Sequence, residues 1–392
     1  MWAMPLPPPK QLLLTPGPTP VPPDVVAAMA EPLPHHRTPE FKARFGSVLE
    51  RLKAVFRTSQ DVMLFTASGT GAFESAYANL LSPGDRVLVV SAGNFGERWV
   101  QMAEAFGAEV EALRFAWGER PDPDVIAERV VGRDDLALVV VVHSETSTGS
   151  VLDLQAVAER TRERSALLVV DAISSLGAAP LETDAWGLDV VVTGSQKALM
   201  LPPGLAFTVA SERALERSRT ATSPRFYFDW QRTLDAQRKG PQSAFTPAIS
   251  LVLGLDAALA RIEASGLEAL WERTRAMGSG LRAAAKALGL ELVSPDHPDC
   301  GLVTAMAVPE GVDGDALRLG LRDRHGIVVA GGQGELKGRI IRYGAFGFIE
   351  PLDLVAGIHA LEQELLRHGH VVELGSGVGA FARAVDAVVP VA

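Results

Sequence analysis

The sequence predicts an α/β protein, with a mostly parallel seven-stranded sheet in a large domain and a smaller α+β C-terminal domain. Three observations predict this. Short runs of Val, Leu and Ile, apolar on both faces, alternate with helical periodicity as far as Ala210. Beyond Ala210 the texture changes, and helical periodicity dominates residues 247–288. The 392 residues also exceed what one core of ordinary size holds, so two domains are expected.

The elements follow in order. Pro16, Pro18, Pro20, Pro22 and Pro23 forbid a regular helix or a central strand, so residues 1–22 should form an extended arm. Helices are expected at 24–29 and 40–56. Seven strands then fit 62–65, 86–91, 109–114, 136–143, 167–171, 188–194 and 205–210. Helices over 70–81, 96–106, 122–131 and 154–164 separate the earlier ones, as crossovers in a parallel sheet require. Further on, strands are expected at 301–308 and 338–342 and helices at 313–324 and 351–366. The expected divisions are an arm (1–22), a large domain (23–262), a small domain (263–368) and a C-terminal extension (369–392).

Composition excludes several functions. Hydrophobic residues make up 47% and charged residues 21%, the balance of a folded soluble chain and not a disordered one. A net charge of −10 offers nothing to a nucleic-acid backbone. The single cysteine, Cys300, permits neither an internal disulfide nor a thiolate-held cluster. It reads as a structural thiol. The first residues lack a basic stretch followed by an apolar core, and the apolar run at 136–142 is too short to span a bilayer. A cytoplasmic protein without membrane or nucleic-acid partners is expected.

Only seven of the 37 basic residues are lysines, and one of them stands out. Lys197 follows the apolar strand that ends at Gly194, and ligands of open α/β sheets bind at such carboxyl ends. A lysine among apolar walls is more readily neutral and nucleophilic. Taken singly, a surface lysine opening a loop remains the more frequent case. Asp171 ends another apolar strand, where a desolvated carboxylate needs a partner such as a pyridinium N–H. Alone, such an aspartate is more often a helix N-cap. Ser68, Gly69 and Thr70 open a helix after a strand, which makes an anion site, although glycine turns before helices are common.

Seven ordered motifs decide between these readings. They are Thr15-Pro16-Gly17-Pro18-Thr19-Pro20, His36-Arg37-Thr38-Pro39-Glu40-Phe41, Thr66-Ala67-Ser68-Gly69-Thr70-Gly71-Ala72, Ser144-Glu145-Thr146-Ser147-Thr148-Gly149, Asp171-Ala172-Ile173-Ser174-Ser175, Gly194-Ser195-Gln196-Lys197 and Arg339-Ile340-Ile341-Arg342-Tyr343-Gly344. From about Leu12 to Leu366 the chain resembles class V aminotransferases of the alanine–glyoxylate and serine–glyoxylate type. The resemblance implies the fold-type-I architecture and pyridoxal 5′-phosphate as cofactor. It implies that Lys197 is the Schiff-base lysine and Asp171 the partner of the ring nitrogen. Ser68, Gly69, Thr70 and Gln196 would lie at the phosphate, Phe95 and Ile173 on the two ring faces, and Thr146 near O3′. Ser243 and Thr246 would reach the phosphate of a neighbouring subunit, so a homodimer with shared sites is implied; tyrosine is common where Ser243 stands. Arg342, with Gly17, would hold the substrate, its guanidinium gripping the α-carboxylate.

The expected activity is transfer of an amino group from alanine or serine to a 2-oxo acid such as glyoxylate or pyruvate. An aspartate-type donor, a lyase on the same cofactor and a hydrogenase-associated subunit are the alternatives. Gly375-Ser376-Gly377-Val378-Gly379 resembles part of a dinucleotide loop but lacks a following βαβ unit. Residues 331–334 suggest a turn near the substrate entrance. His35 and His36 lack spaced partners for a metal.

Overall fold

The computed structural model describes residues 11–386; residues 1–10 of the arm and 387–392 of the extension lie outside the described residues. The large sheet has seven strands in the order Val62–Phe65, Ala206–Ala210, Val190–Gly194, Leu167–Asp171, Leu136–Val142, Arg86–Ser91 and Glu109–Arg114. All neighbouring pairs are parallel except those made by Ala206–Ala210, which runs against both of its neighbours. The central strands are buried along their whole length. Their side chains divide by the period of two: Leu168 and Val170 enter one core with Phe45 and Leu52, while Val169 enters the other with Tyr77 and Trp99. Covering on both faces explains why these strands are unbroken apolar runs.

A second sheet of three antiparallel strands, Val303–Ala307, Ile340–Gly344 and Ala330–Gly331, carries its own core around Leu281, Tyr343 and Leu361. Its last long strand begins two residues later than the sequence suggests, because Gly338 turns at φ +74°. The helical stretch from 247 onward divides at Gly266, where φ is +76°, into Ile249–Ser265 and Leu267–Ala287. Gly331 does not belong to a turn: it pairs with Ile341 in an edge strand. The extended arm pairs as well, with Leu12–Leu13 lying parallel to Ile327–Val328 and the Gly344 N–H donating to the Leu14 carbonyl at 2.9 Å.

Three helices are additional to the sequence reading. Glu212–Thr220 and Trp230–Lys239 are mostly polar, and their legible signals are the caps, Ser211 and Asp229, whose side chains accept from Ala214 N and Arg232 N. The third, Ser376–Asp386, starts in the glycine-rich tail. The fully buried Glu362 accepts from the N–H groups of Gly375 (2.8 Å) and Gly377 (2.9 Å). The protein's own carboxylate thus fills the anion position at that helix start. Phe381 seats against Gly280, where a side chain would collide with the ring. No helix among the described residues is long and apolar enough to cross a membrane.

This packing predicts that Phe381→Ala costs about 3–5 kcal/mol where the ring is buried. Limited proteolysis should then cut between Arg367 and Ser376 far faster than in the parent chain. Equal cleavage rates would show that the last helix is held by something else.

Candidate functional site

Parallel strands present their carboxyl ends to one edge of the sheet, and the site is assembled there. Asp171 closes its strand and pairs in register with Val192 of the next one. Two residues beyond Val192 that strand ends at Gly194, and the turn that follows brings Lys197 back over the same edge. The arm fixes this turn. Thr19 donates its N–H to the Gln196 carbonyl at 3.1 Å and its hydroxyl to the Lys197 carbonyl at 2.9 Å. The Lys197 amine donates to the Pro16 carbonyl at 2.5 Å. Gly17 lies against the same amine at φ +128°, and a Cβ there would strike Lys197 Nζ. Glycine is required on both counts.

Burial sets the charges. Desolvation pulls the Lys197 amine down to about 8; Asp171 opposes that shift and Arg342 adds to it. Desolvation pushes the Asp171 carboxyl up to about 7, against the opposing bonds from the Ile173 N–H (2.9 Å) and the Trp99 indole N–H (3.4 Å). Acid and base are therefore both poised near neutrality, the range in which proton transfer is most effective.

The cavity between them has a volume of about 270 Å³ and opens at one end onto Ser68, Gly69 and Thr70. These begin the helix Gly69–Leu80, where the Gly71 and Ala72 amides donate to the Ser68 carbonyl and those of Gly69 and Thr70 are left for a ligand. The Ser68 hydroxyl makes no cap hydrogen bond, and Gln196 Oε1 is buried without a partner. Gly69 is in contact distance of Ile173, so a larger residue would block this end. Phe95 and Ile173 both line the cavity. An anion cradle, apolar walls, a buried acid and a buried amine together fit a flat phosphorylated pyridine.

Arg342 is buried and reaches the region from the small sheet. Its Nε and Nη2 donate to the Gly331 carbonyl at 2.9 and 2.6 Å, and its Nη1 to the Thr146 carbonyl at 2.6 Å. Of five guanidinium N–H groups, these bonds leave two for a ligand. The Thr146 and Ser174 hydroxyls bond to each other. Ser243 and Thr246 are elsewhere: they line a different, much smaller recess with Tyr227 and Phe245, and the Ser243 hydroxyl donates to the Phe245 carbonyl. Arg37 lies near them, bonded to Gln242. Cys300 is fully buried, and burial raises its thiol.

Three residues at the site were not singled out from the sequence. Glu145, buried, accepts from the backbone N–H groups of Phe95 and Gly96, both at 3.1 Å, and so anchors the loop that carries Phe95. Desolvation pushes its carboxyl up. Trp99 stacks on Phe73 with centroids 3.8 Å apart and reaches Asp171. Arg98 lines the cavity one turn beyond Phe95. The available signal was helical spacing: Phe95, Arg98 and Trp99 share a face of Asn94–Ala105.

Keeping the amine buried costs stability. Because its pKa is lowered on folding, the unfolded chain binds more protons between about pH 8 and 10.5. The penalty is therefore full below pH 8 and disappears as pH rises past 10.5. Lys197→Met should accordingly stabilise the cofactor-free chain at pH 7, by at most about 3 kcal/mol. The gain, read from melting temperatures, should shrink steadily from pH 8 upward. A pH-independent difference would contradict this origin.

Comparison with known proteins gives a consistent result. The family model for aminotransferase class-V matches residues 11–336. The soluble hydrogenase 42 kDa subunit of Anabaena cylindrica is 42% identical, covering 95% of this chain and 98% of that one. The L-aspartate–glyoxylate aminotransferase of Paracoccus denitrificans is 36% identical, covering 94% of each. The solved structure of an alanine–glyoxylate aminotransferase from Nostoc sp. superposes with a TM-score of 0.86 at 34% identity, covering 93% of this chain and 98% of that one. Fold, cavity and likeness agree: this chain belongs to the class-V aminotransferases, and its cofactor is pyridoxal 5′-phosphate.

Proposed function

We propose that the chain moves an amino group from a small donor, alanine or serine, to a 2-oxo acid such as glyoxylate or pyruvate. The observation that carries this reading is the meeting of the Lys197 amine and the Asp171 carboxylate in one dry cavity beside an anion cradle. Lys197 would hold the cofactor, Asp171 would partner its ring nitrogen, and Phe95 and Ile173, which line the cavity, would receive the ring. Ser68, Gly69, Thr70 and Gln196 receive the phosphate. When bound, pyridoxal phosphate supplies the carbonyl that takes up the amino group and the electron sink that acidifies the donor Cα–H. Lys197 Nζ, whose pKa burial lowers to about 8 so that a neutral fraction is available near neutral pH, removes that proton as a general base and returns it as a general acid. Asp171 keeps a proton at the ring nitrogen. Thr146, whose hydroxyl bonds that of Ser174, would serve the O3′ side of the ring, and Gly17 leaves room for the donor beside the amine.

Arg342 binds the donor α-carboxylate with its two remaining N–H groups. A dicarboxylic donor would bury a second carboxylate, which needs its own cation. Arg37, bonded to Gln242 beside Ser243, does not line the Lys197 cavity of its own chain, so a single chain supplies a dicarboxylic donor no cation from that position. The test is kcat/KM for alanine, serine and aspartate with glyoxylate as acceptor. Alanine or serine should lead, and Arg342→Lys should lower kcat/KM for every donor by about 10- to 100-fold, since it keeps the charge but loses paired hydrogen bonds. If aspartate leads, the aspartate-type reading replaces this one.

We further propose a cytoplasmic homodimer in which Ser243 and Thr246 serve the partner's phosphate. Their separation from the cavity of their own chain supports this, as does the aromatic surface beside them, where Phe226 is 66% exposed and Tyr227 stacks on Phe245. Sedimentation should give a dimer, and Thr246→Ala should weaken cofactor affinity. A fully active monomer would refute the shared site.

A further inference from the structure

The cofactor's phosphate carries close to two negative charges at neutral pH. The cradle that would receive it is uncharged: Ser68 and Thr70 hydroxyls, backbone amides and the Gln196 amide. The helix N-terminus contributes only about half a charge. An anion buried with so little compensation is costly. The two cations already assigned are committed elsewhere. Lys197 holds the cofactor's carbonyl end, and Arg342 is bound to the Gly331 and Thr146 carbonyls.

One further cation lines the cavity, and it stands at the cradle. Arg98 Nη1 lies 3.4 Å from the Thr70 hydroxyl oxygen, and its guanidinium carbon lies 4.8 Å from the centroid of the Phe95 ring. No carboxylate pairs with it among the described residues. Its sequence neighbour Glu97 is occupied by Arg114 at 3.0 Å and by the Ser91 hydroxyl at 2.7 Å. Arg98 is half-buried, and a planar guanidinium matches a phosphate's oxygens in pairs.

We infer that Arg98 is the cation that neutralises the cofactor phosphate, with the Phe95 ring holding its guanidinium at the cradle. This rests on the cofactor assignment above. The test uses the full-length cofactor-free protein as the parent chain, Arg98→Gln and Arg98→Lys, each titrated with pyridoxal phosphate and with pyridoxal, which lacks the phosphate. Binding is followed by the cofactor's absorbance, independently of turnover. Arg98→Gln should weaken pyridoxal phosphate by about 10- to 100-fold and leave pyridoxal unchanged. Arg98→Lys should fall between. Inorganic phosphate should compete with pyridoxal phosphate for the parent chain and compete less for Arg98→Gln. Unchanged affinity for pyridoxal phosphate in Arg98→Gln would overturn the inference. So would an equal loss for both compounds, which marks a structural role. If the parent chain binds neither compound, the cofactor assignment fails, and this inference with it.

Discussion

Everything at this site depends on withdrawing an amine and a carboxylate from water into one small cavity. Desolvation moves Lys197 down to about 8 and Asp171 up to about 7, so that two groups ordinarily far apart on the pH scale are drawn toward each other. Neither shift needs an unusual residue nearby. Both follow from where the strands end. A strand apolar on both faces delivers its last residue, Asp171, into a buried place, and the turn after the adjacent parallel strand returns Lys197 to the same place. The helices that cover the sheet supply the remaining parts: the start of Gly69–Leu80 provides amides, and Asn94–Ala105 provides Phe95, Trp99 and Arg98.

The same logic explains what was legible in the sequence. Six of the seven long strands announced themselves because covering on both faces demands apolar runs, the edge strand Glu109–Arg114 being mixed, and Asp171 and Lys197 were visible as polar residues at and just beyond the ends of such runs. The helices Glu212–Thr220 and Trp230–Lys239 were harder, since few of their positions are buried and periodicity has little to act on. The two-residue strands are invisible in principle: Leu12–Leu13 and Ala330–Gly331 are strands only because of what they lie beside. Single sequences hide the supporting residues for the same reason. Glu145 acts through amides of Phe95 and Gly96, some fifty positions away, and no local pattern records that.

Arg342 illustrates how the small sheet enters the chemistry. Its side chain is held by one carbonyl from its own sheet, Gly331, and one from the large unit, Thr146. Thr146 follows Glu145, which anchors Phe95. Carboxylate recognition and the aromatic wall are thus fastened to the same short segment.

The arm adds a mechanical relation between the two units. Leu14 is fixed in the small unit by Val328 and Gly344, and Pro16 receives the Lys197 amine in the large one. A single residue, Thr15, separates these anchors, and at most about 7 Å of chain spans them. Such a tether transmits displacement instead of absorbing it. Any swing of the small unit away from the sheet must either peel Leu14 from its strand or draw the Pro16 carbonyl off the amine. The position of Arg342 and the freedom of Lys197 are therefore geared together through a stretch of backbone that takes no direct part in the reaction.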